Sequence, residues 1–238
     1  MRPVAALFVA VSVLATAVAS YFAFQPGSSR GSGGVMFWVL AGGPTVVLAG
    51  VAAAWAWREE LLREWLAPRW GDFSRGVASA VLLFGMAYAF SRIVTRVGSP
   101  REVWLVSLYG QIGDPRVLQA HAPLVGAAIA AVALAEELVW RGMVTQLLAD
   151  RMGTRTAWVG AAVLYAAAYV PTMWALRAGG VGGGVGALNP VLPVAALGAG
   201  LLWGGMARAF GGRLAPGVLA HALFDWAVVM MFPLWGMR

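Results

Sequence analysis

The chain has 238 residues, of which 61% are hydrophobic and only 11% charged, with a mean hydropathy of +0.76. A soluble domain carries about 25% charged residues, so a soluble globular fold, a disordered chain and a coiled coil are excluded, and a multi-pass membrane protein remains. The absence of cysteine removes disulfides, Cys-ligated metals and thiol nucleophiles, and the +7 formal charge comes from arginines scattered through short loops, which set membrane topology and call for no nucleic acid.

Seven apolar segments are long enough to cross roughly 30 Å of hydrocarbon at 1.5 Å per residue. They cover residues 4–24, 35–57, 76–94, 122–149, 156–176, 191–210 and 214–234. Their hydrophobicity is nearly continuous and does not alternate, which predicts α-helices and not the strands of a barrel. The expected fold is therefore all-α: a transmembrane bundle of about seven spanning helices plus one short interfacial helix, forming a single integral-membrane domain over residues 1–238. Ala17–Ser20 could pass for a signal-peptidase site, but the apolar run around it is longer than a signal core, so a retained helix is expected.

Three connections stand out. Residues 58–70 set Leu61, Leu62, Trp65 and Leu66 on one side and Arg58, Glu59, Arg63 and Glu64 elsewhere, the pattern of an amphipathic helix lying at the interface and ended by Pro68. Residues 99–121 mix an apolar run with Gly110, Gly113 and Pro115, which predicts a partly re-entrant or surface segment. Residues 179–186 are dominated by glycine and predict a flexible loop. An N-terminus in the cytoplasm puts nine arginines inside against seven outside, a small bias for that orientation, and the expected location is the inner cell membrane.

Only ten residues are acidic, yet Glu136, Glu137 and Asp225 fall inside apolar segments, together with Arg141 and His221. Each such charge costs roughly 2.5–3.5 kcal/mol near the bilayer centre. Unpaired, they would together approach the stability of a whole domain, so they must face the bundle interior and meet one another. Glu137 and Arg141 are spaced i,i+4 on one helix, and His221 and Asp225 i,i+4 on another, which lets each pair meet along one face. Glu136 has no local partner and is rotated about 100° from Glu137, toward a neighbouring helix. A carboxylate in that position suits a general base or acid. A structural polar knot is the competing reading, although two adjacent glutamates repel each other and make poor glue.

The run Glu136-Glu137-Leu138-Val139-Trp140-Arg141 resembles the EExxxR motif of the CPBP family, the CAAX-protease and bacteriocin-processing membrane proteins. His221-Ala222-Leu223-Phe224-Asp225 resembles that family's third motif, HxxxN or HxxxD. The resemblance covers roughly residues 122–235, the family-like core. It implies an intramembrane glutamic endopeptidase in which Glu136 activates a water, Glu137 and Arg141 form the supporting pair, and His221 and Asp225 hold the water or the oxyanion. The family's second motif, FxxxH, falls in register on Tyr165-Ala166-Ala167-Ala168-Tyr169, so Tyr169 stands where that family has histidine. A phenol with a reference pKa near 10 donates a hydrogen bond but is a poor base at neutral pH.

Carboxylates and imidazole suit zinc, but there is no HExxH pattern and only His221 lies in the core, so no metal and no other cofactor are expected. The expected partners are the lipid bilayer and a peptide or membrane-protein substrate, cleaved in a membrane-embedded or membrane-proximal segment. Oligomeric state is not legible in the sequence. The alternative is a catalytically inactive family member acting as a membrane scaffold that binds a partner. A proton-relay transporter would call for repeated halves, which the chain lacks.

Overall fold

The computed structural model describes residues 3–26, 34–177 and 188–234. The expected glycine-rich loop over 179–186 lies outside them. All regular structure among the described residues is helical, in the order α1 (Pro3–Ala23), α2 (Val35–Arg58), α3 (Leu61–Leu66), α4 (Asp72–Ile93), α5 (Glu102–Ile112), α6 (Pro115–Ala120) and α7 (Ala122–Glu136). A π-helical turn over Glu137–Val144 continues α7 into α8 (Thr145–Met152). Then come α9 (Ala157–Ala168), α10 (Thr172–Ala175), α11 (Val191–Ala209) and α12 (Ala215–Trp226), which runs into a second π turn, Ala227–Met231.

Among the described residues, six helices are long and apolar enough to cross a membrane: α1, α2, α4, the continuous Ala122–Met152 helix, Ala157–Ala175 and α11. The seventh apolar segment forms the shorter helix Ala215–Met231. The protein is thus a multi-pass all-α membrane bundle. On α1, Val4, Leu7, Val11, Leu14, Val18 and Phe22 are exposed, while Ser12, Thr16 and Ser20 are buried. In a lipid solvent that inversion is favourable, because small polar side chains pack helices closely and apolar ones face hydrocarbon. Ser12 donates to its own helix at Phe8 O, 2.9 Å away, so its burial leaves no orphan donor.

α7 and the π turn form the axis that positions everything else. α2 and α12 pack along it, and α9 packs between the π turn and α11. α12 lies chiefly against α4 and α7. The largest core cluster gathers Val139, Trp140 and Val144 of the π turn with Ala52 and Ala56 of α2 and Tyr165 of α9.

Two connections are resolved more finely than their sequence reading. The helical part of residues 58–70 is confined to Leu61–Leu66, and Trp65, on its apolar side, is only 2% exposed and packs into the core. It fills the space over Gly142, where a Cβ would stand 2.6 Å from the Trp65 Cζ3 atom. The missing side chain of one residue is what admits the indole of the other. The 99–121 segment forms two helices, with Gly110 inside α5 and the break at Gly113 and Pro115. Buried Leu105, Leu108 and Tyr109 pack α5 against the ends of α1, α2, α10 and α11. The Tyr109 hydroxyl donates to Val228 O at 2.7 Å and accepts from Leu234 N at 2.9 Å. Burial pushes this phenol up to about 12, so it keeps its proton, and hence its donated bond to the second π turn, throughout the physiological range.

A methyl at Gly142 would overlap the Trp65 ring, and overpacking of this kind costs about 1–3 kcal/mol. Gly142→Ala should therefore lower the unfolding temperature of the detergent-solubilised protein. Trp65→Leu should cost less in that background than in the native one, and a thermal double-mutant cycle measures the coupling; strictly additive losses would contradict the insertion.

Candidate active site

The six residues singled out in the sequence are Glu136, Glu137, Arg141, Tyr169, His221 and Asp225, and the structure brings all six together. They come from three places: the end of α7 and the start of the π turn after it, the end of α9 and the second half of α12. The first three lie at the start of the π turn, where backbone bonds reach one residue further than in an α-helix; such turns are frequent at functional sites. Thr145 Oγ1 returns to Trp140 O at 2.8 Å, giving a partner to one carbonyl in the widened turn.

Glu137 is the innermost group, with no exposed surface. Its Oε1 lies 3.3 Å from Arg141 Nη1 and 3.2 Å from His221 Nδ1. Its Oε2 faces the α12 backbone, where a Cβ at Gly217 would stand 2.9 Å away; only glycine lets α12 approach the carboxylate so closely. The Arg141 guanidinium lies 4.5 Å from the Tyr165 ring centroid and 5.3 Å from that of Trp203. Two aromatic faces thus supply part of what water would give a buried cation.

Glu136 is turned the other way, toward α9. Tyr169 donates to its Oε1 at 2.8 Å, and Tyr165 donates to its Oε2. The same Oε2 lies 3.7 Å from His221 Nε2, beyond hydrogen-bond distance. His221 Nε2 is closer to Asp225 Oδ2, at 3.4 Å. The imidazole therefore stands between the two glutamates and Asp225, with carboxylate oxygens opposite both ring nitrogens. Its plane is set by Trp203 of α11, stacked at 4.1 Å between centroids and 27° between planes.

Burial is graded across the cluster. Glu137, Glu136, His221 and Arg141 are buried, whereas 32% of the Asp225 side-chain surface is exposed and Tyr169 is half-buried. The site is closed at Glu137 and open at Asp225 and Tyr169. Chemically, it offers a carboxylate held by two phenols, an imidazole beside it, and a second carboxylate neutralised by a guanidinium.

Sequence reasoning missed two participants. Tyr165 appeared only as the aromatic of a family motif, and its hydroxyl could have been suspected because the family pattern has phenylalanine there. Trp203 carries no sequence signal that separates it from the other tryptophans.

Residues 118–227 match the family model described as type II CAAX prenyl endopeptidase Rce1-like. Over that stretch the chain is similar to this family. The matched stretch contains both motifs, both tyrosines and Trp203, and it leaves α1 to α5 outside. No curated protein and no solved structure matches the chain significantly. The likeness is to a family of CAAX prenyl endopeptidases and is confined to those residues.

Removing Arg141 leaves Glu137 buried without its cation, at about 3–5 kcal/mol by analogy with broken buried ion pairs. Arg141→Ala should reduce folded yield in membranes well below that of Glu136→Gln, which keeps shape and hydrogen-bonding capacity. Folded yield is read by gel filtration after mild detergent extraction, and equal yields would argue against an interior Glu137–Arg141 pair.

Proposed function

We propose that the protein is an intramembrane glutamic-type endopeptidase of the inner cell membrane, cleaving a membrane-embedded or membrane-proximal peptide segment. One observation carries this reading: Glu136 is a buried carboxylate beside an imidazole, fixed by two phenols of which one, Tyr169, is half-buried. Each carboxylate oxygen has two lone pairs, so after accepting from Tyr165 and Tyr169 both oxygens of Glu136 keep an acceptor site for water.

In this mechanism Glu136 takes a proton from a water as the water oxygen attacks the peptide carbonyl carbon. His221 and Asp225 hold that water, and the Tyr169 hydroxyl and the His221 ring N–H are the donors available to the developing oxyanion, in a site where low dielectric strengthens them. When the C–N bond breaks, the proton on Glu136 passes to the departing nitrogen. Glu137 and Arg141 do not touch the reacting atoms; they hold His221 through its Nδ1 and anchor the π turn.

The second reading is a membrane scaffold without catalysis, holding a partner protein. It is favoured by Tyr169, whose phenol occupies the register in which the family resemblance expects histidine and which is a poor proton acceptor at neutral pH.

Two experiments separate the readings, using a panel of single-span reporter proteins co-reconstituted with the protein in liposomes and fragment size as the readout. Glu136→Gln should abolish cleavage while leaving the chain folded and inserted, and undiminished cleavage by that variant would refute the assignment. Tyr169→Phe removes only the hydroxyl and should lower the rate, whereas Tyr169→His introduces a group with a reference pKa near 6.5. Positioned acid–base groups contribute about 10²–10⁴-fold, so Tyr169→His should raise cleavage by at least about tenfold. No cleavage by the native protein or by Tyr169→His would favour the scaffold.

A further inference from the structure

The most deeply buried charges outside the site are Asp72, the first residue of α4, and Arg213, two residues before α12. They are 6% and 4% exposed. Arg213 Nη1 donates to Asp72 Oδ1 at 2.9 Å, and Nη2 donates to Asp72 Oδ2. That bidentate geometry is the strongest form of the interaction and fixes the two groups in orientation as well as distance. Arg213 Nη2 also donates to Ala67 O at 2.9 Å, and Asp72 Oδ2 accepts from Arg69 N at 2.7 Å. One end of the pair therefore grips the elbow between α3 and α4, and the other grips the start of α12. The mechanism proposed above uses neither residue.

That elbow reaches the site by two routes. Leu214, the residue after Arg213, donates its N–H to Trp65 O at 2.9 Å, so α12 begins on the backbone of α3. The Trp65 side chain in turn wedges against Gly142, one residue past Arg141 in the π turn. α12 then passes the π turn at Gly217, where a Cβ would stand 2.9 Å from Glu137 Oε2, and reaches His221 one turn later. Clearances this small leave no room for α12 to slide or tilt without driving its backbone onto Glu137 or pulling the imidazole away from it.

We propose that Asp72 and Arg213 are a positioning pair for the site: they lock α12 to the α3–α4 elbow and thereby set where His221 stands relative to Glu136 and Glu137. The peptidase arm of the test rests on the function proposed above; the spectroscopic arm does not.

The chain has only two histidines, and His121 is exposed. In protein labelled at the histidine Cε1 carbon and held in nanodiscs, the His221 signal should lie upfield of the His121 signal, because its ring stacks on Trp203. Arg213→Met should move the His221 signal and leave that of His121 in place. Arg213→Lys, which keeps the charge but not the two-pronged geometry, should move it less. On a reporter that the native protein cleaves, kcat should fall by about tenfold to a hundredfold with KM within about twofold, the size of loss that a small misplacement of catalytic groups produces.

A pair that only stabilises the fold would lower the unfolding temperature in both variants and leave the His221 signal where the native protein has it; that result overturns the proposal. If Arg213→Met fails to fold, Arg213→Lys decides alone by the same signal. If the native protein cleaves nothing, a displaced His221 signal still supports the pair's role, and the failure belongs to the peptidase reading.

Discussion

The rest of the structure depends on one interaction, the sequestered Glu137 carboxylate held between Arg141 and His221. A fully buried carboxylate is intolerable in a bundle solvated by lipid unless its charge is met, and the Coulomb attraction that meets it grows as the surroundings dry out. Arg141 answers from the same turn, at 3.3 Å. His221 answers from α12, at 3.2 Å. Because one partner comes from another helix, neutralising Glu137 also decides how α12 must lie. Gly217 follows from that demand, since any side chain there would hold α12 off the carboxylate.

The aromatic shell is the second consequence. A guanidinium shut off from water needs more than one anion, and Arg141 makes no other side-chain ion pair in the structure as described. Tyr165 and Trp203 put ring faces 4.5 Å and 5.3 Å from it, and desolvated contacts of this kind are worth about 2 kcal/mol. Both rings also act on the neighbouring groups: Tyr165 through its hydroxyl on Glu136, Trp203 through its face on His221. The same two side chains thus shield the cation and orient the candidate base and its imidazole.

How much of this was legible in the sequence follows from the range of each interaction. Spanning segments are legible because lipid imposes one rule on every residue of a helix, and the six long helices fall where hydropathy puts them. The Glu137–Arg141 and His221–Asp225 pairs are legible because i,i+4 spacing is a property of a single helix. The grip of Tyr165 and Tyr169 on Glu136 joins two helices, and no local pattern encodes it; only the family register hinted that α9 faces α7. The π turn is invisible because its residues differ in nothing from those of an α-helix. For Trp65, amphipathic spacing tells which side is apolar but not that the core over Gly142 receives it. The Asp72–Arg213 pair carries no local signal, since it is settled by how the α3–α4 elbow folds back on the start of α12.

Under the proposed mechanism, the gradient of burial across the cluster runs from residues that would hold to residues that would act. A group whose task is to fix the fold gains from being sealed, because a dry environment strengthens its pairing. A group whose task is to meet a water and a peptide must be reachable from outside. Glu137 has no exposed surface and lies against the α12 backbone, so it belongs to the first kind. Asp225 keeps 32% of its side chain exposed and Tyr169 is half-buried, so any approach to the cluster runs past them. Glu136 stands between: it is buried, yet its two hydrogen-bond donors are one sealed tyrosine and one half-open one. Of the two adjacent glutamates, Glu136 is the one bonded to the half-buried Tyr169, while Glu137 has no exposed surface. That asymmetry follows from one helix turn placing consecutive carboxylates on opposite sides of a single imidazole.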